Sequence, residues 1–190
     1  MITNQIAKFI PTFFPFLALL FSLVILLTGC TQGNFITPPT QSLGATLNSS
    51  AMERYPNFSS NGQYLVFASD RLAQRSILVY DLRSKQLLSL PGLNQPRIMA
   101  DQPDISADGR YIVYVAEQLG KSDIYVYDRQ TNRSEAITRD LLEEVRHPTI
   151  SGDGRFIAFE ANRSGQWDIE IYDRGVGIVP SVPVPKSNSD

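Results

Sequence analysis

Three copies of one motif, kept in register, limit what this chain can fold into more than any other feature. The clearest copy runs from Gln102 to Arg129. It reads Gln-Pro-Asp-Ile-Ser-Ala-Asp-Gly-Arg-Tyr-Ile-Val-Tyr, then a polar gap, then Ser-Asp-Ile-Tyr-Val-Tyr-Asp-Arg. The copy before it starts at Tyr55 and the copy after it at His147. Their turn glycines, Gly62, Gly109 and Gly154, lie 47 and then 45 residues apart. Tyr80, Tyr127 and Tyr172 each follow their glycine by 18 residues. A period of this size marks a repeat architecture.

Each copy predicts four short strands, here called a to d in the order of the motif. In the second copy, strand a covers residues 103–107, strand b 110–116 and strand c 123–128. Strand d is weaker, at 86–90 in the first copy and 134–138 in the second. In strand c, Ile77, Ile124 and Ile169 match, as do Val79, Val126 and Ile171, and the residue between is Leu78, Tyr125 or Glu170, as expected for a strand with one wet face. Strand b is apolar on both faces (Tyr111, Ile112, Val113, Tyr114), which predicts cover on both sides. Asn61-Gly62, Asp108-Gly109 and Asp153-Gly154 fit tight hairpins between a and b. Ser59, Ser106 and Ser151 precede them and can bond the turn backbone. Pro56, Pro103 and Pro148 are expected at the start of strand a, where a missing amide is tolerated. One such sheet buries too little apolar surface to offset the ordering of its chain. The sheets must therefore stack on one another, and radial stacking makes a β-propeller.

The first thirty residues stand outside this pattern. Lys8 is their only charge, and residues 9–27 are apolar apart from Thr12 and Ser22. They end in Leu27-Thr28-Gly29-Cys30, which is similar to the bacterial lipobox. That resemblance implies a signal peptide over 1–29, cleavage before Cys30, and lipid on Cys30 that holds the protein to a membrane outside the cytoplasm. An uncleaved membrane anchor is the competing reading, because about 20 apolar residues span a bilayer, and soluble secretion after cleavage is the third. Residues 30–54 are expected to be a flexible tether. The three repeats follow over 55–182 (about 55–91, 102–138 and 147–182), and 183–190 are expected to be a disordered tail.

The pattern Pro-x-apolar-Ser-x-Asp-Gly-Arg, followed by Asp-Ile-Tyr-Val-Tyr-Asp, resembles the TolB-type propeller repeat, a relative of the WD-repeat. The resemblance covers residues 55–173. It implies an all-β fold of three four-stranded antiparallel blades, either half of a six-bladed propeller or an open wedge. Two copies joined as a homodimer would close a six-bladed ring. The family's namesake is a periplasmic protein of the Tol-Pal envelope system, with six blades and an extra N-terminal domain. It binds a peptidoglycan-associated lipoprotein at the mouth of its propeller. By position, this places a partner-binding mouth at Arg54, Tyr55, Asp101, Gln102, Arg146 and His147.

Little in the sequence points to chemistry. The net charge of −2 argues against nucleic acid as a partner. One cysteine and one histidine leave too few ligands for a Cys/His zinc site. No nucleophile elbow or phosphate loop is present. The recurring Asp70-Arg71, Asp81, Asp128-Arg129 and Asp173-Arg174 read as turn chemistry and exposed ion pairs more readily than as a calcium site. Trp167 reads as packing against a neighbouring blade, with an exposed binding anchor as the alternative. Residues 138–146 are expected to form a loop with one helical turn. The chain is thus expected to be a non-enzymatic lipoprotein without metal or cofactor, binding an envelope protein or lipoprotein in the periplasm. The alternatives are a non-catalytic gate or subunit for a separate hydrolase, or a structural envelope protein.

Overall fold

The computed structural model describes residues 46–176. Within them, three antiparallel sheets follow one another in chain order. The first holds β1 (Glu53–Phe58), β2 (Tyr64–Ser69), β3 (Ser76–Asp81) and β4 (Gln86–Leu87). The second holds β5 (Met99–Ile105), β6 (Tyr111–Gln118), β7 (Lys121–Asp128) and β8 (Arg133–Ala136). The third holds β9 (Glu144–Ile150), β10 (Phe156–Arg163) and β11 (Gln166–Asp173). Every strand pairs with its neighbour in sequence, and no sheet closes on itself. This is an all-β, propeller-like stack of blades forming an open wedge. Cys30 and the apolar leader, residues 30–45 of the expected tether, a fourth strand expected at Ile178 and Val179, and the tail all lie outside the described residues.

Hairpin chemistry is the same in all three sheets. Ser59, Ser106 and Ser151 accept through their side chains from the amides of Tyr64, Tyr111 and Phe156, each at 2.9 Å. The Asn61, Asp108 and Asp153 side chains accept from the amides of Gln63, Arg110 and Arg155. The glycine that completes each turn has a positive φ, 69°, 77° and 81° in order. The turns also bond to one another across the sheets, Asn61 N to Ala107 O and Ala107 N to Gly152 O.

Stacking buries the strand residues in two layers. Between the first and second sheets lie Val66, Ile77, Val79, Ile105, Ile112 and Tyr127, with Leu88 and Leu90 folded in beside them. Between the second and third lie Val113, Ile124, Val126, Ile150, Ile157 and Phe159, with Ile137 and Leu141 beside them. The central strand β6 therefore has Tyr111 to Ala116 buried on both faces. Strand β10 does not, since Phe156 is 41% exposed where its counterpart Tyr111 is 2% exposed. No described residue covers that outer face.

Four details differ from the sequence reading. The prolines lie inside β1, β5 and β9 rather than at their starts. Register shifts between Arg54 and Asn57, between Asp101 and Asp104, and opposite Ala158 to Glu160 show why. Each proline sits at a bulge, where no ladder amide is needed. The end of the expected tether is docked: Leu47 packs on Leu65, Phe67 and Leu78, and Arg71 donates to the carbonyls of Thr46 and Leu47 at 2.7 and 2.6 Å. Residues 138–146 hold a turn closed by Leu141 N to Thr138 O and then the start of β9, without a helical turn. Trp167 lies on the outer face of β11, not against a neighbouring sheet.

The turn glycines differ in what surrounds them. A Cβ on Gly109 would lie 2.3 Å from Tyr64 Cδ2, and one on Gly154 would lie 2.4 Å from Tyr111 Cδ2, whereas one on Gly62 would meet nothing. Gly109→Ala is thus expected to cost about 2–4 kcal/mol, combining backbone strain with overpacking, and Gly62→Ala about 1 kcal/mol. Urea denaturation of the two variants checks the difference; equal losses would contradict it.

Candidate functional site: the bulged rim

The three bulges fall side by side because the sheets stack in register. At each, the residue before proline is held at positive φ: Tyr55 at 52°, Gln102 at 49° and His147 at 50°. Non-glycine residues rarely take this conformation, and such strain collects at functional positions. Hydrogen bonds between sheets hold two of the three together. His147 N donates to Gln102 Oε1 at 2.6 Å across the sheets, and within β5 Gln102 N donates to Asp101 Oδ1 at 3.0 Å. Asn57 Nδ2 donates to Pro103 O at 2.8 Å, and the Thr149 hydroxyl and Ile150 N both donate to Asp104 Oδ2.

The preceding positions alternate in charge: Arg54, Asp101, Arg146. Asp101 is bridged at 2.7 Å by Arg75, whose carbonyl also accepts from Ala100 N. Arg146 pairs with Glu160 at 2.7 Å and lies 3.6 Å over the Trp167 ring. His147 Nδ1 approaches the other Glu160 oxygen at 3.2 Å. Tyr55 is 40% exposed, and the His147 side chain is 49% exposed. The rim is therefore a row of fixed polar and aromatic groups that can accept, donate and stack. Among the described residues, no three Asp, Glu, His or Cys side chains come together to hold a metal ion.

All six residues expected from position lie on this rim, and the structure adds Arg75, Asp104, Glu160 and Trp167. Asp104 was legible in principle, since its repeat position is polar every time (Asn57, Asp104, Thr149). Arg75 and Glu160 reach the rim from other strands, which a linear motif does not show. Elsewhere, the recurring Asp-Arg pairs split their roles. Asp128 and Asp173 are gripped by Arg110 and Arg155 at 3.0 and 2.7 Å, while Arg129 and Arg174 turn to the sheet before them.

The chain can be compared with known proteins on this basis. No family model matches it, and no curated protein matches it significantly. Among solved structures, it is similar to TolB from Acinetobacter baumannii, with TM-score 0.55 and 24% identity over 70% of this chain and 33% of that one. It is similar to a putative TolB from Agrobacterium tumefaciens, with TM-score 0.54 and 21% identity over 68% and 47%. It is also similar to a puromycin-hydrolyzing peptidase from Mycobacterium tuberculosis, with TM-score 0.50 and 13% identity over 67% and 20%. The chain spans a third to a half of the two TolB structures and a fifth of the peptidase. At these identities the likeness establishes the propeller fold and not a shared activity.

Three carboxylates near the rim and the strand ends hold their protons weakly. The Arg146 hydrogen bond, helped by His147, lowers the Glu160 pKa. Burial pushes Asp128 up, but the Arg110 hydrogen bond and the Gln130 amide outweigh it and leave it lowered. The Arg155 hydrogen bond and the Gly175 amide bring Asp173 down to about 2. A group of lowered pKa stabilises the folded chain fully above its unfolded pKa and loses that contribution as pH falls through the folded value. Stability in urea is expected to be flat from about pH 7 to 5 and to fall between about pH 4 and 2. Arg155→Met is expected to shrink that fall; an unchanged pH profile would contradict the assignment.

Proposed function

We propose that this chain is a membrane-anchored propeller lipoprotein that binds another protein of the bacterial envelope through its bulged rim. The observation that carries the reading is the strained row of Tyr55, Gln102 and His147, set in fixed register with exposed aromatic and ionic groups beside it. A folded chain holds strain of about 1–3 kcal/mol per residue only where the surroundings enforce it. Six other described non-glycine residues take positive φ in turns and bends, and these three alone do so within strands. An exposed Tyr55 next to Arg54, with a half-buried Trp167 under Arg146, is also the composition of protein-binding hot spots.

The lipid anchor rests on Leu27-Thr28-Gly29-Cys30, with Cys30 the only cysteine. The periplasmic location follows from that motif and agrees with the likeness to TolB propellers. The same likeness suggests a peptidoglycan-associated lipoprotein as the class of partner, and so a place beside the Tol-Pal system. We read the chain as non-catalytic, its part being to present a surface.

Two measurements test this reading. Palmitate labelling is expected to mark the wild-type chain and to be lost in Cys30→Ala, which should leave the membrane fraction; equal labelling would refute the anchor. Crosslinking in envelopes, followed by capture, is expected to recover one peptidoglycan-binding lipoprotein. Tyr55→Ala with His147→Ala is expected to weaken purified-partner binding about ten-fold or more, roughly 1.4 kcal/mol, without lowering the urea midpoint. Recovery of a hydrolase instead would favour the gating role, and undiminished binding would move the site elsewhere.

A further inference from the structure

One end of the stack carries an apolar fringe. The turns between β2 and β3, β6 and β7, and β10 and β11 lie there, and so do the starts of β1, β5 and β9: Glu53 pairs with Ser69, Met99 with Glu117 and Glu144 with Asn162. Leu119 and Leu142 are 100% and 97% exposed at this end, and Met52, Leu72 and Met99 are exposed on neighbouring segments. Hydrogen bonds tie these segments to one another. Asp70 N donates to Met52 O at 3.1 Å, Ala100 N to Arg75 O at 3.0 Å, and Lys121 Nζ to Arg139 O at 2.7 Å. The three glycine turns at the opposite end hold no large apolar residue. Exposed apolar residues toward that end (Phe58, Leu82, Phe156, Tyr172 and Val176) lie on the two terminal sheets alone, whereas the fringe runs across all three.

Leu119 is placed there against local preference. It fills the first position of a two-residue hairpin between Gln118 and Lys121, at φ 55°. That position favours Asn, Asp or Gly, and the third sheet has Ser164 there at the same φ. Leu119 strains its turn and covers nothing in the fold, so its use lies outside the fold. We propose that this end of the stack rests on a lipid bilayer, with Leu119 and Leu142 inserted at the boundary between headgroups and acyl chains. Contiguous exposed apolar groups mark protein or membrane surfaces, and the path of the chain favours the membrane. Arg71, in the first of the three turns, donates to Thr46 O at 2.7 Å, so the described chain begins at this end. Cys30 lies 16 residues before Thr46. The connecting chain spans at most about 55 Å. A lipid on Cys30 therefore keeps these tips at high effective concentration against the bilayer, where a few inserted side chains suffice. This inference rests on the lipid anchor of the proposed function and adds the face that meets the membrane.

Both signs of charge flank the tips, with Arg97 and Arg139 exposed on one side of the balance and Glu117 and Glu144 on the other. The attraction is then apolar, and anionic lipid is not required. The rim stays clear of the lipid. Tyr55 and Gln102 follow Met52 and Met99 by three residues along β1 and β5, which sets them about 10 Å from the tips. A partner held in the same bilayer meets the rim at that height.

The test uses the full chain purified from membranes, with Trp167→Phe removing its single tryptophan. One tryptophan is then returned as Leu119→Trp, as Leu142→Trp or, in the turn at the opposite end of the second sheet, as Gln130→Trp. Each chain is reconstituted in phosphatidylcholine vesicles with and without brominated acyl chains. Emission from positions 119 and 142 is expected to shift to the blue and to be quenched by the brominated lipid, while emission from position 130 stays unquenched. Position 142 has no positive φ, so it reports on the face without the strain of the turn. Equal emission from all three positions in both kinds of vesicle would overturn the proposal and leave the tips to a protein partner. Palmitate labelling of the same chains reports on the anchor separately. A chain that carries palmitate and shows no quenching at 119 or 142 keeps the anchor and loses this face. A chain without palmitate that is still quenched there keeps the face and loses the anchor.

Discussion

At each junction between sheets, an aromatic ring at the start of one central strand lies flat under the hairpin glycine of the next sheet. Tyr64 lies under Gly109, and Tyr111 lies under Gly154, each too close for any side chain larger than hydrogen. An arginine at the end of the following strand completes the joint. Arg129 lies 4.9 Å over Tyr64 and donates to Gly109 O at 2.7 Å; Arg174 lies 4.2 Å over Tyr111 and donates to Gly154 O at 2.7 Å. The cation–ring contact supplies about 0.5–2 kcal/mol, and its larger effect is to set register. The apolar layers provide most of the attraction, but attraction between flat sheets would let them slide. The keyed joint holds them.

Register in turn creates the rim. With the hairpins locked one over another, the three bulges fall in line, and His147 N can reach Gln102 Oε1 across the gap. A slip of one residue would send the apolar side chains to the wrong faces and scatter the bulges. The strain at Tyr55, Gln102 and His147 is therefore sustained by contacts elsewhere, in the layers and at the joints. The two flanks differ for the same reason. The first sheet lacks the arginine that would join it to a predecessor and is covered by Leu47. The third offers Phe156 in the place of Tyr64 and Tyr111.

The repeats made most of the fold legible. The period, the Ser-x-Asp/Asn-Gly hairpins and the doubly apolar central strand are local in sequence and repeated, so each copy checks the others. The joint was not legible, because Arg129 and Arg174 look like the ordinary end of a strand until the sheet before them is in place. The bulges were missed because a proline after a polar residue looks like a strand start; the ladder resumes on both sides of it only in three dimensions. Leu47 was hidden in a polar, proline-rich stretch whose period is too short to score. At the rim, position within the repeat picked out the six residues, but their partners Arg75 and Glu160 come from strands that the motif does not connect.

The central claim is that the sheets are stable only through one another. Trp167, the single tryptophan, lies in the third sheet and reports on it alone. Tyr64→Ala damages the joint between the first and second sheets, far from that reporter in the stack. Urea unfolding of this variant followed by tryptophan fluorescence and by far-ultraviolet circular dichroism is the most direct test. Interdependent sheets predict that both midpoints fall together by the same amount. A fluorescence midpoint that stays at its wild-type value while the dichroism midpoint falls would show sheets that stand alone, and would contradict the account.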